Sequence, residues 1–270
     1  MKQLVLNESA GSATVATGKD IARQLKSKID GLKLDFFDLK KGGVDYDGLK
    51  VSDAFQEYKA TTKGLVSLDP ARLTTRQARL AFWINLYNAL VVHAVLELDI
   101  KKSVKEVRSF FQRLCYNVGG YSFSLDDMEH GILRGNKKKH LLAGRPFSEG
   151  DPRKAFALKK ADPRIHFALV CGSNSCPPIE VYEEGEIDEQ LDLVSEAFIN
   201  SEDVTIEKEN KTLRISRIFK WYKGDFGGTE GLLSLLIKYR FAPEDKEFLQ
   251  KAGRGLRIVY NDYDWSLNLV

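Results

Sequence analysis

The sequence predicts an α+β fold, in which a central buried helix and surrounding helices pack on a small, mainly antiparallel sheet. Two observations lead to this prediction. Residues 75–98 are apolar nearly all round, which is typical of a helix at the centre of a fold. Strand patterns enter later in the chain, in short runs separated by turns. Helices that come first, followed by strands mixed with helices, favour α+β over a regular βαβ alternation.

Two helices are predicted before the central one. Ile21, Leu25 and Ile29 place an apolar stripe at i, i+4 and i+8 on an otherwise polar segment, which predicts a helix over residues 18–31. Residues 51–67 also indicate a helix. Both are expected to pack an apolar face against the rest of the fold.

The central helix is predicted to begin at Thr74 or Thr75, whose hydroxyl can accept a hydrogen bond from a free amide of the first turn. Three polar side chains, Asn85, Asn88 and His93, fall on faces that are otherwise apolar. A buried amide or imidazole needs hydrogen-bond partners. These three residues are therefore expected to bond other parts of the chain, and the two asparagines are candidate binding residues.

Short strands are predicted in the second half of the chain. Gly119 and Gly120 separate two short apolar runs and indicate a tight hairpin. Residues 203–216 alternate around a polar turn and predict a second hairpin. Residues 164–171 are interpreted as a strand that runs into the loop GSNSCPP. The remaining predicted elements are helices near residues 186–200 and 229–240 and a short strand near 256–260.

Composition and charge narrow the function classes. The 270 residues carry 41 Lys and Arg against 38 Asp and Glu, and the net charge of +3 gives no electrostatic footprint for general nucleic-acid binding. The longest apolar candidate, residues 80–98, is interrupted by Asn, His and Glu, so no membrane span is predicted. We therefore expect neither a nucleic acid nor a membrane as a partner.

The cellular location and domain count are also predicted from the sequence. The N-terminus lacks the apolar stretch of a secretory signal, and an odd count of three cysteines argues against a disulfide framework. A cytoplasmic protein is therefore expected. No repeat, low-complexity segment or Pro/Ser-rich linker divides the chain, so residues 1–270 are interpreted as one globular domain, with residues 1–50 as a helical N-terminal extension.

The segment HFALVCGSNSCPP concentrates two of the three cysteines and one of the four histidines. Cys176 can act as a nucleophile if a neighbouring imidazole or backbone amides lower the pKa of its thiol. Cys171 and Cys176 can form a redox pair, although four residues separate them instead of the two of the usual oxidoreductase motif. His166 and both cysteines can supply three of the four ligands of zinc. The structural alternative is that both thiols pack as small hydrophobic side chains.

A second cluster lies in the sequence SLDDMEHGILRG. Ser124 followed three residues later by Asp127 resembles a capping box, which predicts a short helix from this point. His130 and Arg134 are four residues apart and share a face of that helix. With Glu129 beside it, His130 is a candidate general base. The same residues are also typical of a surface salt-bridge network.

Two Asp-Pro-Arg triplets each precede an apolar run. The arginine of each, Arg153 or Arg164, is suited to bind a carboxylate or phosphate with two parallel hydrogen bonds. Arg153 and Arg134 are therefore candidate binding residues, although a structural arginine bonded to loop carbonyls fits the pattern as well. The sequence contains no Walker-type phosphate loop, no GxGxxG, no HExxH and no GxSxG. No cofactor is expected.

Five blocks of the sequence resemble the family known as domain of unknown function 547. They are AFWINLYNALVVHAV, FSLDDMEHGILRG, DPRIHFALVCGSNSCPP, WYKGDF and YDWSLN. The blocks follow the order in which the family has them and cover roughly residues 50–268, whereas the first 50 residues are less diagnostic. The family occurs in bacteria, plants and other eukaryotes, and its name assigns no biochemical activity.

The resemblance implies two kinds of function. Some relatives join this domain to glutaredoxin or other signalling modules, which implies thiol chemistry. Others carry an added leucine-zipper region, absent here, which implies a scaffold role. A buried helix followed by a small sheet bearing His is also similar in outline to papain-like and transglutaminase-like thiol enzymes, where the nucleophilic Cys opens the central helix. Here that stretch offers Asn85 and Asn88 but no cysteine.

The leading hypothesis from the sequence is a thiol-dependent hydrolase or acyltransferase that acts on an amide or thioester. In this hypothesis Cys176 attacks, and His130 or His166 accepts the thiol proton. Glu129 or an asparagine orients the imidazole, as in a catalytic triad. The amides of the turn over residues 172–175 stabilise the oxyanion.

Two alternatives stay open at this point. The first is a non-catalytic module that binds a peptide or a small molecule in a cleft beside Arg134 or Arg153. The lesser one is a thiol redox pair or a zinc site. The reactivity of the Cys176 thiol separates these classes, because an activated thiolate favours chemistry and an inert thiol favours the module.

Overall fold

The computed structural model describes residues 2–8, 18–38 and 42–270. Within these ranges the chain forms two compact units. The first unit contains the described residues up to 161 together with 169–187 and 265–270, and the second contains 162–168 and 188–264. Both combine helices with small sheets, so the predicted α+β fold class is confirmed. That the whole chain acts as one globular domain stays a prediction.

The described helices of the first unit surround one long helix. They are α1 (Gly18–Phe36), α2 (Tyr46–Val51), α3 (Asp53–Thr62), α4 (Arg76–Glu97) and α5 (Phe110–Arg113). A π-helix covers Asp127–Leu133, and short 3₁₀ turns cover Lys63–Ser67, Pro70–Arg72, Val104–Glu106 and Pro152–Phe156. The strands are β1 (Leu4–Val5), β2 (Phe37–Asp38), β3 (Gly43–Val44), β4 (Leu114–Val118) and β5 (Tyr121–Ser124).

The predicted first helix and first hairpin are both confirmed. Ile21, Leu25 and Ile29 are buried along one side of α1, as their spacing predicts. Strand β4 pairs antiparallel with β5 across Gly119 and Gly120, and parallel with β1 on its other side. Both glycines have positive φ, which a two-residue hairpin of this kind requires. Strands β2 and β3 form a separate antiparallel pair.

Helix α4 is the buried centre of the first unit. The Thr75 side chain accepts a hydrogen bond from the Ala78 N–H at its start, which confirms the predicted cap. Every residue from Leu80 to Leu96 except Phe82 is buried. In the described part of the chain, α4 is the one helix long and apolar enough to cross a membrane by length and composition. Since 94% of that apolar window is buried inside the fold, it has the character of a core helix.

The second unit has its own sheet and core. Its elements are α6 (Ile187–Ile199), β6 (Val204–Glu207), β7 (Thr212–Ile215), α7 (Ile218–Trp221), α8 (Gly228–Tyr239), α9 (Pro243–Ala252) and β8 (Arg257–Tyr260), with 3₁₀ turns at Pro163–Phe167 and Gly253–Gly255. The predicted hairpin is β6 with β7, and β8 adds parallel to β7. Large apolar side chains fill this core, among them Phe167, Phe198, Phe219 and Phe226.

Two predicted elements differ from the structure. Residues 164–171 were interpreted as a strand, and this is wrong, because Pro163–Phe167 is a 3₁₀ helix. The Asp162 side chain accepts from the Arg164 N–H and Pro163 occupies the first turn, so local capping favours a helical turn over an extended chain. The second difference is smaller: the helix predicted over residues 51–67 is α3 followed by a 3₁₀ turn that ends at Ser67.

Candidate functional site

Two thiols lie next to each other in the first unit. They belong to residues 171–176, which we call the thiol loop. The Sγ atoms of Cys171 and Cys176 lie 2.7 Å apart. The hydroxyl of Ser173 lies 3.1 Å from the Cys171 Sγ and 3.4 Å from the Cys176 Sγ. Neither cysteine forms a disulfide, and both are half-buried. The loop therefore holds two sulfurs and a hydroxyl within hydrogen-bond reach of one another.

One backbone amide bonds the Cys176 thiol. The N–H of Cys171 donates to the Cys176 Sγ over 2.9 Å. A hydrogen bond donated to the charged form of a group favours that form, so this amide stabilises a thiolate at Cys176. That Cys176 acts as a nucleophile stays a prediction.

The loop sequence explains why the two thiols meet. Gly172 has φ +76°, and a Cβ at this position would lie 3.3 Å from Val91 Cγ1. A side chain at residue 172 is therefore disfavoured both by the backbone conformation and by the packing. The Cys176 N–H then donates to the Ser173 carbonyl over 2.9 Å and closes a tight turn. The turn folds the chain back, so that residues 171 and 176 become neighbours.

Two buried amides of α4 fix the segment that carries the loop. Asn88 Oδ1 accepts from the Val170 N–H over 3.0 Å, directly before Cys171. One turn earlier on α4, Asn85 bonds both the N–H and the carbonyl of Tyr182. The expectation that these asparagines find partners elsewhere in the chain is therefore confirmed. Their assignment as ligand-binding residues stays a prediction.

The C-terminal residues cover the other side of the loop. The Asn174 N–H donates to the Ser266 carbonyl over 2.9 Å, and the Asn268 N–H donates to the Gly172 carbonyl over 3.2 Å. Tyr46 donates its hydroxyl to Asn268 Oδ1 over 2.9 Å. Burial raises the pKa of Tyr46, and negative charge on the two neighbouring cysteines raises it further. A neutral tyrosine and an amide thus border the thiol pair.

The structure brings Glu129, His130 and Arg134 together in a second cluster of the first unit, on the π-helix and at its end. Arg134 Nη1 lies 2.8 Å from His130 Nδ1, and Glu129 Oε1 lies 3.4 Å from the same nitrogen. All three are at most 6% exposed, so the alternative of a surface salt-bridge network is wrong. π-Helical turns inside proteins are frequent at functional sites.

The contact with Arg134 favours the neutral form of His130. A guanidinium only donates hydrogen bonds, so Nδ1 of His130 accepts from Arg134 and the ring proton lies on Nε2. Among the described residues Nε2 has no hydrogen-bond partner, and Asp126 Oδ1 lies 3.8 Å away. Burial lowers the pKa of His130, while the charges of Glu129 and Asp126 act in the opposite direction. The role of His130 and Glu129 in proton transfer stays a prediction.

Arg153 anchors the loop that follows this cluster. Its side chain pairs with both oxygens of Asp151 and also donates to the Ser122 carbonyl and to Asp127. Asp127 Oδ2 accepts in addition from the backbone N–H and the hydroxyl of Ser124, and this reciprocal arrangement confirms the predicted capping turn. These contacts fit the alternative in which Arg153 is a structural arginine bonded to loop groups. Its assignment to ligand binding stays a prediction.

His166 lies in the second unit. Its Nε2 is 3.0 Å from Asp225 Oδ2, and its ring stacks on Tyr222 with a centroid separation of 3.7 Å. The side chains of His166 and Asp225 are nearly fully buried. Asp225 thus contacts Nε2 of His166, whereas the carboxylate of a catalytic triad bonds Nδ1 and leaves Nε2 for proton transfer. Sequence reasoning missed Asp225 as the partner, although the WYKGDF block contained it.

In the part of the chain that the structure describes, no set of side chains is arranged to bind zinc. No group of three or more His, Cys, Asp or Glu side chains there is placed to hold a metal ion. The zinc hypothesis for His166, Cys171 and Cys176 therefore gains no support. Sequence reasoning also missed Ser173 as the neighbour of both thiols and Asn268 as the residue that bonds their loop.

The comparisons with known proteins give one match. Residues 70–199 match a family model described as "Protein of unknown function, DUF547". The matched range contains α4, the π-helix and the thiol loop. No curated protein and no solved structure matches the chain.

Proposed function

The chain belongs, through residues 70–199, to the family of proteins of unknown function DUF547, and from this premise we propose that it carries out thiol–disulfide exchange through Cys171 and Cys176. The observation that carries the proposal is the 2.7 Å separation of the two sulfur atoms. A disulfide bond has a length of about 2.05 Å. Only a small displacement within the loop therefore separates the dithiol from a disulfide.

The roles of the two cysteines follow from their hydrogen bonds. The Cys176 thiolate, stabilised by the Cys171 N–H, attacks one sulfur of a substrate disulfide and forms a mixed disulfide. The other substrate sulfur leaves as a thiolate and takes up a proton. Cys171 then loses its proton and attacks the Cys176 sulfur, which forms the loop disulfide and releases the second substrate thiol. One dithiol and one disulfide are converted into one disulfide and two thiols.

Ser173 supports both steps. Its hydroxyl lies within 3.4 Å of either sulfur and can donate to whichever one carries the negative charge. A donor shared by two sulfurs suits a reaction in which the charge moves from one to the other. The hydrolase, acyltransferase and binding-module hypotheses stay predictions, and the hydrolase shares Cys176 as its nucleophile.

The test is equilibration of the protein in buffers with graded ratios of reduced to oxidised glutathione, followed by acid quenching, alkylation and mass spectrometry. We expect one transition in which Cys171 and Cys176 lose their free thiols together and form a disulfide with each other. The matched control is Cys115→Ser, because Cys115 is fully buried and bonds the Arg113 carbonyl. This variant should keep the transition.

Single variants assign the roles. Cys171→Ser should accumulate glutathione on Cys176, since the second attack is removed, whereas Cys176→Ser should react at least tenfold more slowly. The proposal is overturned if the wild-type protein forms no loop disulfide in any buffer. It is also overturned if the two single variants take up glutathione at equal rates.

A further inference from the structure

We infer that a cavity between α1 and the first half of α4 binds a small carboxylate with an apolar tail. The cavity has a volume of about 450 Å³ and lies wholly in the first unit. This volume is within the range of about 300–1,000 Å³ of small-molecule sites. None of its lining residues belongs to the thiol loop, so the inference does not depend on the proposed thiol–disulfide exchange.

Apolar side chains form the inside of the cavity. They come from α1, the turn before α4, and α4 itself, and include Leu25, Ile29, Leu68, Ala81, Phe82 and Leu86. Phe82 is the one residue between Leu80 and Leu96 of α4 that is not buried, because it faces this opening. A ligand tail that covered it would remove apolar surface from water, which is favourable.

The acidic side chains at the edge of the cavity already have partners. Glu183 pairs with Lys26 over 2.8 Å, and Glu184 accepts from the Thr75 hydroxyl over 2.7 Å. Asp69 caps the 3₁₀ turn that follows it. These carboxylates are therefore occupied within the protein.

Two arginines at the same edge are not occupied in this way. Arg23 and Arg72 line the cavity, and both are exposed. Neither has an ion pair or a side-chain hydrogen bond with the residues that the structure describes. Guanidinium groups bind carboxylates with two parallel hydrogen bonds. The lining has three cationic and three acidic side chains, so net charge does not select the ligand. The two guanidinium groups offer unused hydrogen-bond donors beside an apolar interior, which favours a ligand with an anionic head and an apolar tail.

The inner end of the cavity favours the tail over the head. Asn85 lines this end, but its amide oxygen and nitrogen both bond the backbone of Tyr182. Asn85 is thus committed to the fold. The arrangement orients the ligand with its carboxylate toward Arg23 and Arg72 and its tail toward α4.

The test is isothermal titration calorimetry with octanoate as the probe, and with octylammonium and octanol as ligands of the same length and different charge. We expect octanoate to bind at one site and at least tenfold more tightly than either of the other two. The double variant Arg23→Gln/Arg72→Gln should weaken octanoate binding at least tenfold. Ala78→Trp should abolish it by filling the cavity, which Ala78 lines.

The control is Arg108→Gln, which removes an exposed arginine of the same unit that does not line the cavity. It should leave the affinity unchanged. The inference is overturned if octanoate does not bind, if octanol binds equally well, or if the double arginine variant keeps the wild-type affinity. Circular dichroism checks the fold of each variant. If Ala78→Trp does not fold, the octanoate affinity of the double variant Arg23→Gln/Arg72→Gln, whose two positions are exposed, decides the result.

Discussion

Asn85 on the central helix bonds both polar groups of one distant residue. Its Nδ2 donates to the Tyr182 carbonyl over 2.8 Å, and the Tyr182 N–H donates to its Oδ1 over 2.9 Å. The two residues are 97 positions apart in the sequence. The side chain of Asn85 therefore bonds the backbone of Tyr182 as a neighbouring β-strand would. These two hydrogen bonds join α4 to the segment after the thiol loop.

Replacing Asn85 by leucine should lower the free energy of unfolding by about 2–4 kcal/mol, because a buried N–H and a buried carbonyl both lose their partner. Urea denaturation followed by circular dichroism measures the loss. Gln24→Leu makes the same kind of change at an exposed position of α1, and we expect an effect within about 0.5 kcal/mol. Equal stabilities for Asn85→Leu and the wild type would contradict the role assigned to this amide.

Gly172→Ala should distort the thiol loop. The positive φ of Gly172 disfavours any residue with a Cβ, at a cost of about 1–2 kcal/mol in the free energy of unfolding. We also expect a smaller fraction of loop disulfide at a given glutathione ratio, which mass spectrometry measures. Gly144→Ala is the control, since a Cβ there meets no atom within 4 Å. A variant at residue 172 with wild-type stability and disulfide content would refute this account of the turn.

His93 should make stability depend on pH. It is 1% exposed, its Nδ1 lies 2.7 Å from the Tyr116 hydroxyl, and burial lowers its pKa to about 4. The unfolded chain has a histidine pKa of about 6.5. A lowered pKa means that the neutral form is favoured on folding, so the stability it contributes is complete above pH 6.5 and is lost as the pH falls toward 4.

Between pH 7 and pH 5 the wild-type protein should lose about 2 kcal/mol of unfolding free energy through this residue. In His93→Gln that part of the pH dependence should vanish, since the amide does not titrate. Urea denaturation of both proteins at several pH values measures the difference. Identical pH profiles would show that His93 is not the titrating group.

Arg164 should be a main support of the second unit. Its guanidinium donates to Asp162, Asp188 and Asp192 over 2.6–2.7 Å. Arg164→Met leaves three carboxylates facing one another and should lower the free energy of unfolding by about 2–3 kcal/mol. The control is Arg254→Met, whose partner Glu230 is exposed, as is Arg254 itself, so we expect a change below about 1 kcal/mol. Similar losses of unfolding free energy for both variants would argue against a stabilising role for the contacts of Arg164 with the three aspartates.

Asp203→Asn should stabilise the protein at neutral pH. Burial raises the pKa of Asp203 to about 6, and the charge of Glu202 adds to this. Because the pKa is higher in the folded than in the unfolded protein, protonated Asp203 stabilises the folded state. This stabilisation is complete below the pKa of the unfolded chain and is lost as the pH rises through 6. The variant should gain about 2–3 kcal/mol at pH 7 and almost nothing at pH 3.5, measured by denaturation at both values. A gain that does not depend on pH would exclude this cause.

Periodic signals made most of the fold predictable. The stripe of α1, the all-round apolar pattern of α4 and the two hairpins each follow from contacts within a few residues, and each is confirmed. The strand predicted over residues 164–171 failed because the cap at Asp162 outweighed the apolar content of the segment. The same Asp-Pro-Arg cap begins the 3₁₀ turn at Pro152–Phe156, so the triplet itself was the better signal.

The candidate site was predictable in its residues and not in its contacts. Cys171 and Cys176 stand out in the sequence, but their sulfur contact depends on a turn that Gly172 permits. The bonds from Ser266 and Asn268 to the loop join positions more than 90 residues apart, and no local pattern encodes such a pairing. The pairing of His166 with Asp225 also depends on folding over 59 positions.

The C-terminal hydrogen bonds of the thiol loop also set an order of assembly during synthesis. The second unit runs almost entirely from residue 188 to 264, so its β6–β7 hairpin and core can form as soon as that stretch has left the ribosome. The thiol loop cannot be completed until Asn268 has emerged to bond Gly172. Once both thiols have been synthesised, their loop therefore lacks this hydrogen bond for as long as residues 177–267 are being added.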